Sequence, residues 1–164
     1  TRDTEIASAA KAMGAEHLEE RGGGGYSEAV AQAACEIANR QASAMLCVPG
    51  DVPGVRPHEI SRMLRELGPG PAVVLCPSRN ERGTNAALVC PPGALPLCFG
   101  EPSFAGHVAR ARDLGLATRV LSLEGLSLDL DTPDDIDVFL RTPSPGRTYR
   151  LLREQALVEG GDLP

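Results

Sequence analysis

Apolar residues recur along this chain in two rhythms. Among the short unbroken runs, Ala44-Met45-Leu46-Cys47-Val48 has the look of a central parallel strand covered on both faces, Ala72-Val73-Val74-Leu75-Cys76 reads as a second buried strand, and Ala86-Ala87-Leu88-Val89-Cys90 follows as a strand. Between and around them, apolar residues fall at helical spacing over 5–13, 28–40, 57–67, 104–114 and 148–158, and in a helix opening at Pro133. In 57–67, Ile60, Met63, Leu64 and Leu67 share one face. Gly14 stops the first helix. A short strand is expected within 15–20. Another is expected over 119–128, as Val120-Leu121 and Leu126-Ser127-Leu128 around a loop at Gly125. Strand–helix alternation predicts the α/β class with a mostly parallel sheet. The 85–96 segment brings no helix of its own, so one strand is expected to run antiparallel. No repeat or linker divides residues 1–164, and 141–164 form a C-terminal helix and tail. The chain opens on Thr1-Arg2-Asp3 with neither an initiator Met nor a strand. An α/β domain usually opens with a strand and a phosphate-binding turn, so the expectation is a domain incomplete at its N-terminus and lacking its first strand.

Composition narrows the partners. With a formal net charge of -6, 3% aromatic residues and no Trp, neither nucleic acid nor an anionic membrane is an expected partner. No apolar run is long enough to span a membrane. The five cysteines, Cys35, Cys47, Cys76, Cys90 and Cys98, form no C-x-x-C pair and sit mostly in apolar runs. They read as reduced core residues of a cytoplasmic protein. His17, His58 and His107 make no zinc pattern and read as satisfied surface or core residues. A homodimer is one option for the assembly.

The chemistry concentrates at Leu128-Asp129-Leu130-Asp131-Thr132-Pro133-Asp134-Asp135. Thr132 suits an N-cap, Pro133 the first helical position, and Asp135 the acid of a capping box. Asp129 and Asp131 are then expected at the end of a strand, on one side and roughly 6–7 Å apart. Two carboxylates that close repel unless a proton or a cation lies between them, and magnesium is the fitting guest. Two acids at a helix N-terminus are also favoured by the helix dipole alone. Both readings stand on these residues. Asp51, in Pro49-Gly50-Asp51-Val52-Pro53, follows a buried strand, where open α/β sheets place ligands. The glycine loop Arg21-Gly22-Gly23-Gly24-Gly25-Tyr26-Ser27 feeds a helix and can cradle phosphate or serve as a plain connection; it matches neither G-x-G-x-x-G nor the P-loop. Gly100 and Ser103, near a helix start, fit either an anion site or an ordinary turn and cap.

Four pieces come in order: Pro49-Gly50-Asp51-Val52-Pro53; Pro77-Ser78-Arg79 with Gly83-Thr84-Asn85-Ala86; Phe99-Gly100 with Ser103-Phe104 and His107; and the acidic stretch. From about Thr1 to Leu140 the chain resembles the CofC/FbiD guanylyltransferases of coenzyme F-420 biosynthesis, within the MobA-like nucleotidyltransferases. The resemblance implies a Rossmann-like three-layer sandwich of the nucleotide-diphospho-sugar transferase type. It also implies transfer of GMP from GTP to 2-phospho-L-lactate, phosphoenolpyruvate or 3-phosphoglycerate, with release of pyrophosphate. By that resemblance Asp51, Asp129 and Asp131 are magnesium-binding catalytic acids and Thr84, Gly100 and Ser103 contact the acceptor phosphate. Gly24, Gly25 and Ser27 fall where the family holds its nucleotide, although Gly25-Tyr26-Ser27-Glu28-Ala29 replaces the family's G-L-N-x-A. The family's opening strand, with its Lys/Arg segment, has no counterpart here.

Three other readings remain. A cousin of the same superfamily would act on a sugar phosphate or the molybdenum cofactor. An inactive homologue would only bind ligand. Asp129-Leu130-Asp131-Thr132 also fits the D-x-D-x-T nucleophile motif of haloacid-dehalogenase-type phosphatases, but too little chain follows for the rest of that fold.

Overall fold

The computed structural model describes residues 1, 3–100 and 102–158. The polar end expected after the last helix lies outside the described residues. The elements are α1 (Thr4–Ala12), α2 (Gly25–Asn39), β1 (Met45–Cys47), α3 (Pro57–Glu66), β2 (Ala72–Pro77), β3 (Thr84–Cys90), α4 (Phe104–Asp113), β4 (Ala117–Val120), α5 (Pro133–Leu140) and α6 (Arg147–Val158). The strands form one sheet in the order β1-β3-β2-β4. β3 is antiparallel to both neighbours, whereas β2 and β4 are parallel. Three strands therefore run one way and β3 runs against them. The loop between β2 and β3 is too short to hold a crossover helix, so the two pair as a hairpin.

Alternation along the central strands splits the core into two faces. Val73 and Leu75 of β2 with Ala87 and Val89 of β3 pack against Val30 and Ala34 of α2 and Ala111 of α4. Val74 and Cys76 with Ala86 and Leu88 pack on the other face against Met63 of α3, Val52, Leu123 and Leu126. The result is the expected three-layer arrangement. A third cluster, Leu128, Phe139, Leu140 and Tyr149, joins α5 and α6 to the acidic segment.

Several local expectations are corrected. β1 lies at the edge of the described sheet, not at its centre; an apolar run reports cover on the two faces, not partners in the hydrogen-bonding direction. Residues 15–20 form no strand. The Gln32 amide donates to the Glu19 carbonyl and accepts from the Arg21 N–H, which lays this stretch on α2. Leu64 is 54% exposed on the flank of α3, while Met63 is fully buried. Cys35 and Cys98 are exposed and only Cys76 is buried, so the cysteines are not uniformly core.

The largest correction concerns the segment before the acids. β4 ends at Val120, and the Leu121 N–H makes one more bond to the Leu75 carbonyl at 2.9 Å. The chain then turns over α3, plugging the core with Leu123 and Leu126. Asp129 and Asp131 thus sit on an irregular segment and not at a strand end. Gly125 presses on Gly54 so closely that a Cβ at Gly125 would collide with the Gly54 carbonyl. The buried Glu59 carboxylate accepts from the Gly125 N–H at 2.8 Å and the Arg56 N–H at 2.9 Å. Sequence periodicity does not report such a backbone-on-backbone contact.

Candidate active site

The three acids reach one place by two routes. The loop after β1 carries Asp51, and its carbonyl accepts the Leu130 N–H at 3.0 Å. This bond ties the acidic segment to the Asp51 loop. At the far end Thr132 caps α5 as expected: its hydroxyl accepts the Asp135 N–H at 3.4 Å and its backbone N–H donates to the Asp135 carboxylate at 3.0 Å, while the hydroxyl also donates to that carboxylate at 2.7 Å. Arg79 adds an ion pair to Asp135 at 2.7 Å, across from the loop after β2. Asp135 is held below the ordinary carboxylate range, first by the Thr132 hydroxyl, with help from backbone N–H groups and Arg79.

The polar wall is built by β3. Pairing of β2 with β3 slips by one residue, since Cys76 faces Ala86 but Pro77 faces Thr84. Asn85 is the extra residue of a bulge, which re-aims side chains. Neighbours on a regular strand would point to opposite faces, yet Thr84 and Asn85 line the same cavity. The hairpin loop is closed by the Ser78 hydroxyl, which accepts from the Gly83 N–H at 2.8 Å and donates to Asn80 at 2.8 Å. Its Arg82 carbonyl accepts from the N–H groups of Ser103 and Phe104 at 3.0 and 3.1 Å, docking the start of α4 against β3. Ser103 occupies the N-cap position but makes no side-chain cap; its hydroxyl instead donates to the Thr84 hydroxyl at 3.4 Å. Gly100 has φ +120°, a conformation open to glycine and strained for other residues.

These parts enclose a cavity of about 320 Å³, with Asp51, Asp129, Asp131, Thr84, Gly100 and Ser103 all in its lining. Every residue expected as an acid or acceptor contact is therefore present. Tyr26, Asn85 and Phe99 also line it, and sequence reasoning had not singled out their side chains for the site. Tyr26 packs against Phe99 with the rings tilted by 58° and their centroids 4.7 Å apart. Its phenol is pushed above the ordinary range by burial and by the Cys47 thiol 3.5 Å away, so it stays a protonated donor. Gly24, Gly25 and Ser27 are not in the lining. Gly24 and Gly25 open α2, and the Ser27 hydroxyl accepts the Phe99 N–H at 2.8 Å, fixing the Phe99-Gly100 turn.

Among the described residues, the one buried side-chain polar atom without a partner is the Asn85 Nδ2. A buried amide left unpaired is costly, and its place in this wall suits a polar guest. The acids offer hard oxygen donors of the kind magnesium takes. Among the described residues no three acids, histidines or cysteines form a ready-made cation cluster, so the fit lies in donor chemistry. A second cavity of about 340 Å³, floored by Leu128, Val138 and Phe139, holds none of the candidate residues. Leu128 lines that one and Asp129 the first, as adjacent residues of extended chain do.

A family model described as "Guanylyl transferase CofC like" matches residues 1–158. The chain belongs to the CofC-like guanylyl transferase family. It is 34% identical over 82% of its length to the phosphoenolpyruvate guanylyltransferase of Rubrobacter xylanophilus, covering 65% of that relative. It is 36% identical over 74% of its length to the 3-phospho-D-glycerate guanylyltransferase of Colwellia psychrerythraea, covering 57% of it. The chain thus spans less than two thirds of the length of these curated relatives. Among solved structures it matches a putative nucleotide-diphospho-sugar transferase from Desulfovibrio desulfuricans G20 at a TM-score of 0.72 and 19% identity, over 99% of this chain and 74% of that one. That match shows the fold: this CofC-like chain carries the three-layer α/β architecture of nucleotide-diphospho-sugar transferases.

Proposed function

We propose that this CofC-like protein transfers GMP from GTP to a small phosphorylated carboxylic acid and releases pyrophosphate. One observation carries the reading: Asp51, Asp129 and Asp131 line a single cavity of about 320 Å³ together with Thr84, Asn85, Gly100 and Ser103. An acceptor phosphate oxygen attacks the α-phosphorus of GTP; that P–O bond forms as the bond to the β-phosphate bridging oxygen breaks, and pyrophosphate carries the electron pair away. The attacking phosphate is already ionised, so no general base is required. Such chemistry asks the protein for positioning and charge balance. Thr84 and the backbone at Gly100 hold the acceptor phosphate, Ser103 supports Thr84 through its hydroxyl, and the Asn85 amide supplies a further polar contact. Asp51, Asp129 and Asp131 would hold magnesium, which when bound offsets the negative charge of the two phosphates. Gly24, Gly25 and Ser27 flank Tyr26 at the start of α2, where we place the nucleotide. The five free thiols suit a reducing cytoplasm.

Pyrophosphate release tests this. The full-length protein is given GTP and magnesium with phosphoenolpyruvate, 3-phosphoglycerate or 2-phospho-L-lactate in turn. Release with one acceptor is expected and names the substrate. A folded full-length protein that releases none with any of the three overturns the reading.

A further inference from the structure

His107 belongs to no part of the proposed chemistry, yet it is 2% exposed and both ring nitrogens are engaged. The Cys98 backbone N–H points at Nε2 at 2.9 Å. A backbone amide can only donate, so Nε2 must carry the lone pair. The ring proton of the neutral imidazole is then on Nδ1. Nδ1 lies 2.9 Å from the Thr84 hydroxyl oxygen, so it donates to that oxygen. Burial and the nearby Arg110 hold the imidazole below its ordinary range, so it stays neutral. Phe99 meets its ring edge-on at 5.6 Å.

The consequence falls on Thr84. Its oxygen accepts from His107 and from the Ser103 hydroxyl at 3.4 Å. Both lone pairs are thereby occupied, and the Thr84 hydroxyl proton is left to point into the cavity that Thr84 and Ser103 line. The opposite tautomer would make Nδ1 an acceptor, turn the Thr84 proton inward and present an oxygen lone pair to an anion.

We infer that His107 is a positioning residue, fixed as the Nδ1–H tautomer by the Cys98 amide, which forces the Thr84 hydroxyl to donate to the phosphate of the acceptor. The chain of donors runs Cys98 N–H, His107, Thr84, phosphate oxygen. This rests on the acceptor reading of the cavity proposed above. Donation to an anion is worth more than a neutral hydrogen bond, so reversal of one hydroxyl is felt in acceptor affinity and not in nucleotide affinity.

Two measurements decide it. Long-range proton–nitrogen correlation spectra of the unmodified full-length protein at neutral pH read the tautomer; protonated Nδ1 is expected, and an Nε2–H ring overturns the inference whatever the variants do. Phosphoenolpyruvate and inorganic phosphate are then titrated calorimetrically into the parent, His107→Asn and His107→Gln. Asn places its amide nitrogen near the Nδ1 position and keeps the donor, whereas Gln reaches toward Nε2 and loses it. Phosphate-probe affinity within about 3-fold of the parent is expected for Asn and a loss of about 10-fold for Gln, with GTP affinity unchanged in both. Equal loss in both variants, equal loss of GTP, or a parent that binds neither phosphate probe overturns the inference. If His107→Gln does not fold, Thr84→Val against Thr84→Ser takes its place, with the loss expected for Val alone and equal affinities overturning the inference. A parent that shows the phosphate pattern but releases no pyrophosphate with any acceptor fails the proposed activity and leaves the hydroxyl direction standing.

Discussion

At the scale of single residues the site divides into groups that carry charge and groups that carry direction. Asp129 and Asp131 line the cavity from a segment tied to the Asp51 loop by the bond from the Leu130 N–H to the Asp51 carbonyl. Replacing Asp129 with Asn keeps the shape and removes the charge. Pyrophosphate release is expected to fall on the order of 100-fold or more with the thermal midpoint little changed. A near-normal rate in that variant removes Asp129 from the chemistry. The acids were legible as a pair in the sequence, because D-x-D before a capped helix is a local pattern. Asn85 and His107 were not legible as site side chains. Nothing in their own neighbourhoods reports that one sits on a bulge or that the other touches a strand residue distant in sequence.

At the scale of elements, the acidic segment is held from both ends. At its helical end the Thr132–Asp135 box and Arg79 fix α5. Asp135 titrates below the ordinary value of 3.8 in the folded protein. A carboxyl with a depressed folded value contributes stability that is complete above its unfolded value and lost as pH falls through the folded one. The gap in unfolding midpoint between the parent and Asp135→Asn is therefore expected at pH 7 and should close on acidification below that range. A gap that stays constant into acid shows that the effect does not come from the charge. At the other end Gly125 packs on Gly54 and donates to Glu59. Gly125→Ala must push the 123–127 turn off α3, and a loss of about 2 kcal/mol or more in denaturant unfolding is expected. A neutral result means that the turn gives way without cost. The capping box could be read from spacing alone. The glycine contact could not, since its partner comes from another loop.

At the scale of the whole molecule, two apolar layers sandwich a sheet whose central strands are buried at every position but Cys90. Burial sorts the thiols: Cys35 and Cys98 are exposed, Cys76 is fully buried, and burial pushes the thiols of Cys47 and Cys76 up. Titration of the native protein with a thiol reagent is expected to modify Cys35 and Cys98 first, and Cys76 only after unfolding. Early loss of the Cys76 thiol in native buffer contradicts the packing described. No described helix is long and apolar enough to cross a membrane.

The sequence by itself determined the α/β class, the helices, the reversed β3 and the capped α5. Each follows from periodicity, turn length or a few neighbouring residues, which are local physics. Its ordered motifs also named the family and six of the cavity's lining residues. Tertiary structure decided the rest. It set β1 at the edge of the described sheet, because strand neighbours are chosen by long-range hydrogen bonds that an apolar run does not encode. It ended β4 early, because contact between Gly54 and Gly125 and the reach of Glu59 draw the following chain over α3. It turned Thr84 and Asn85 to one side through a bulge, and it gave His107 its tautomer through a backbone amide nine residues away. Direction, register and close approach are properties of two segments together, and neither segment alone contains them.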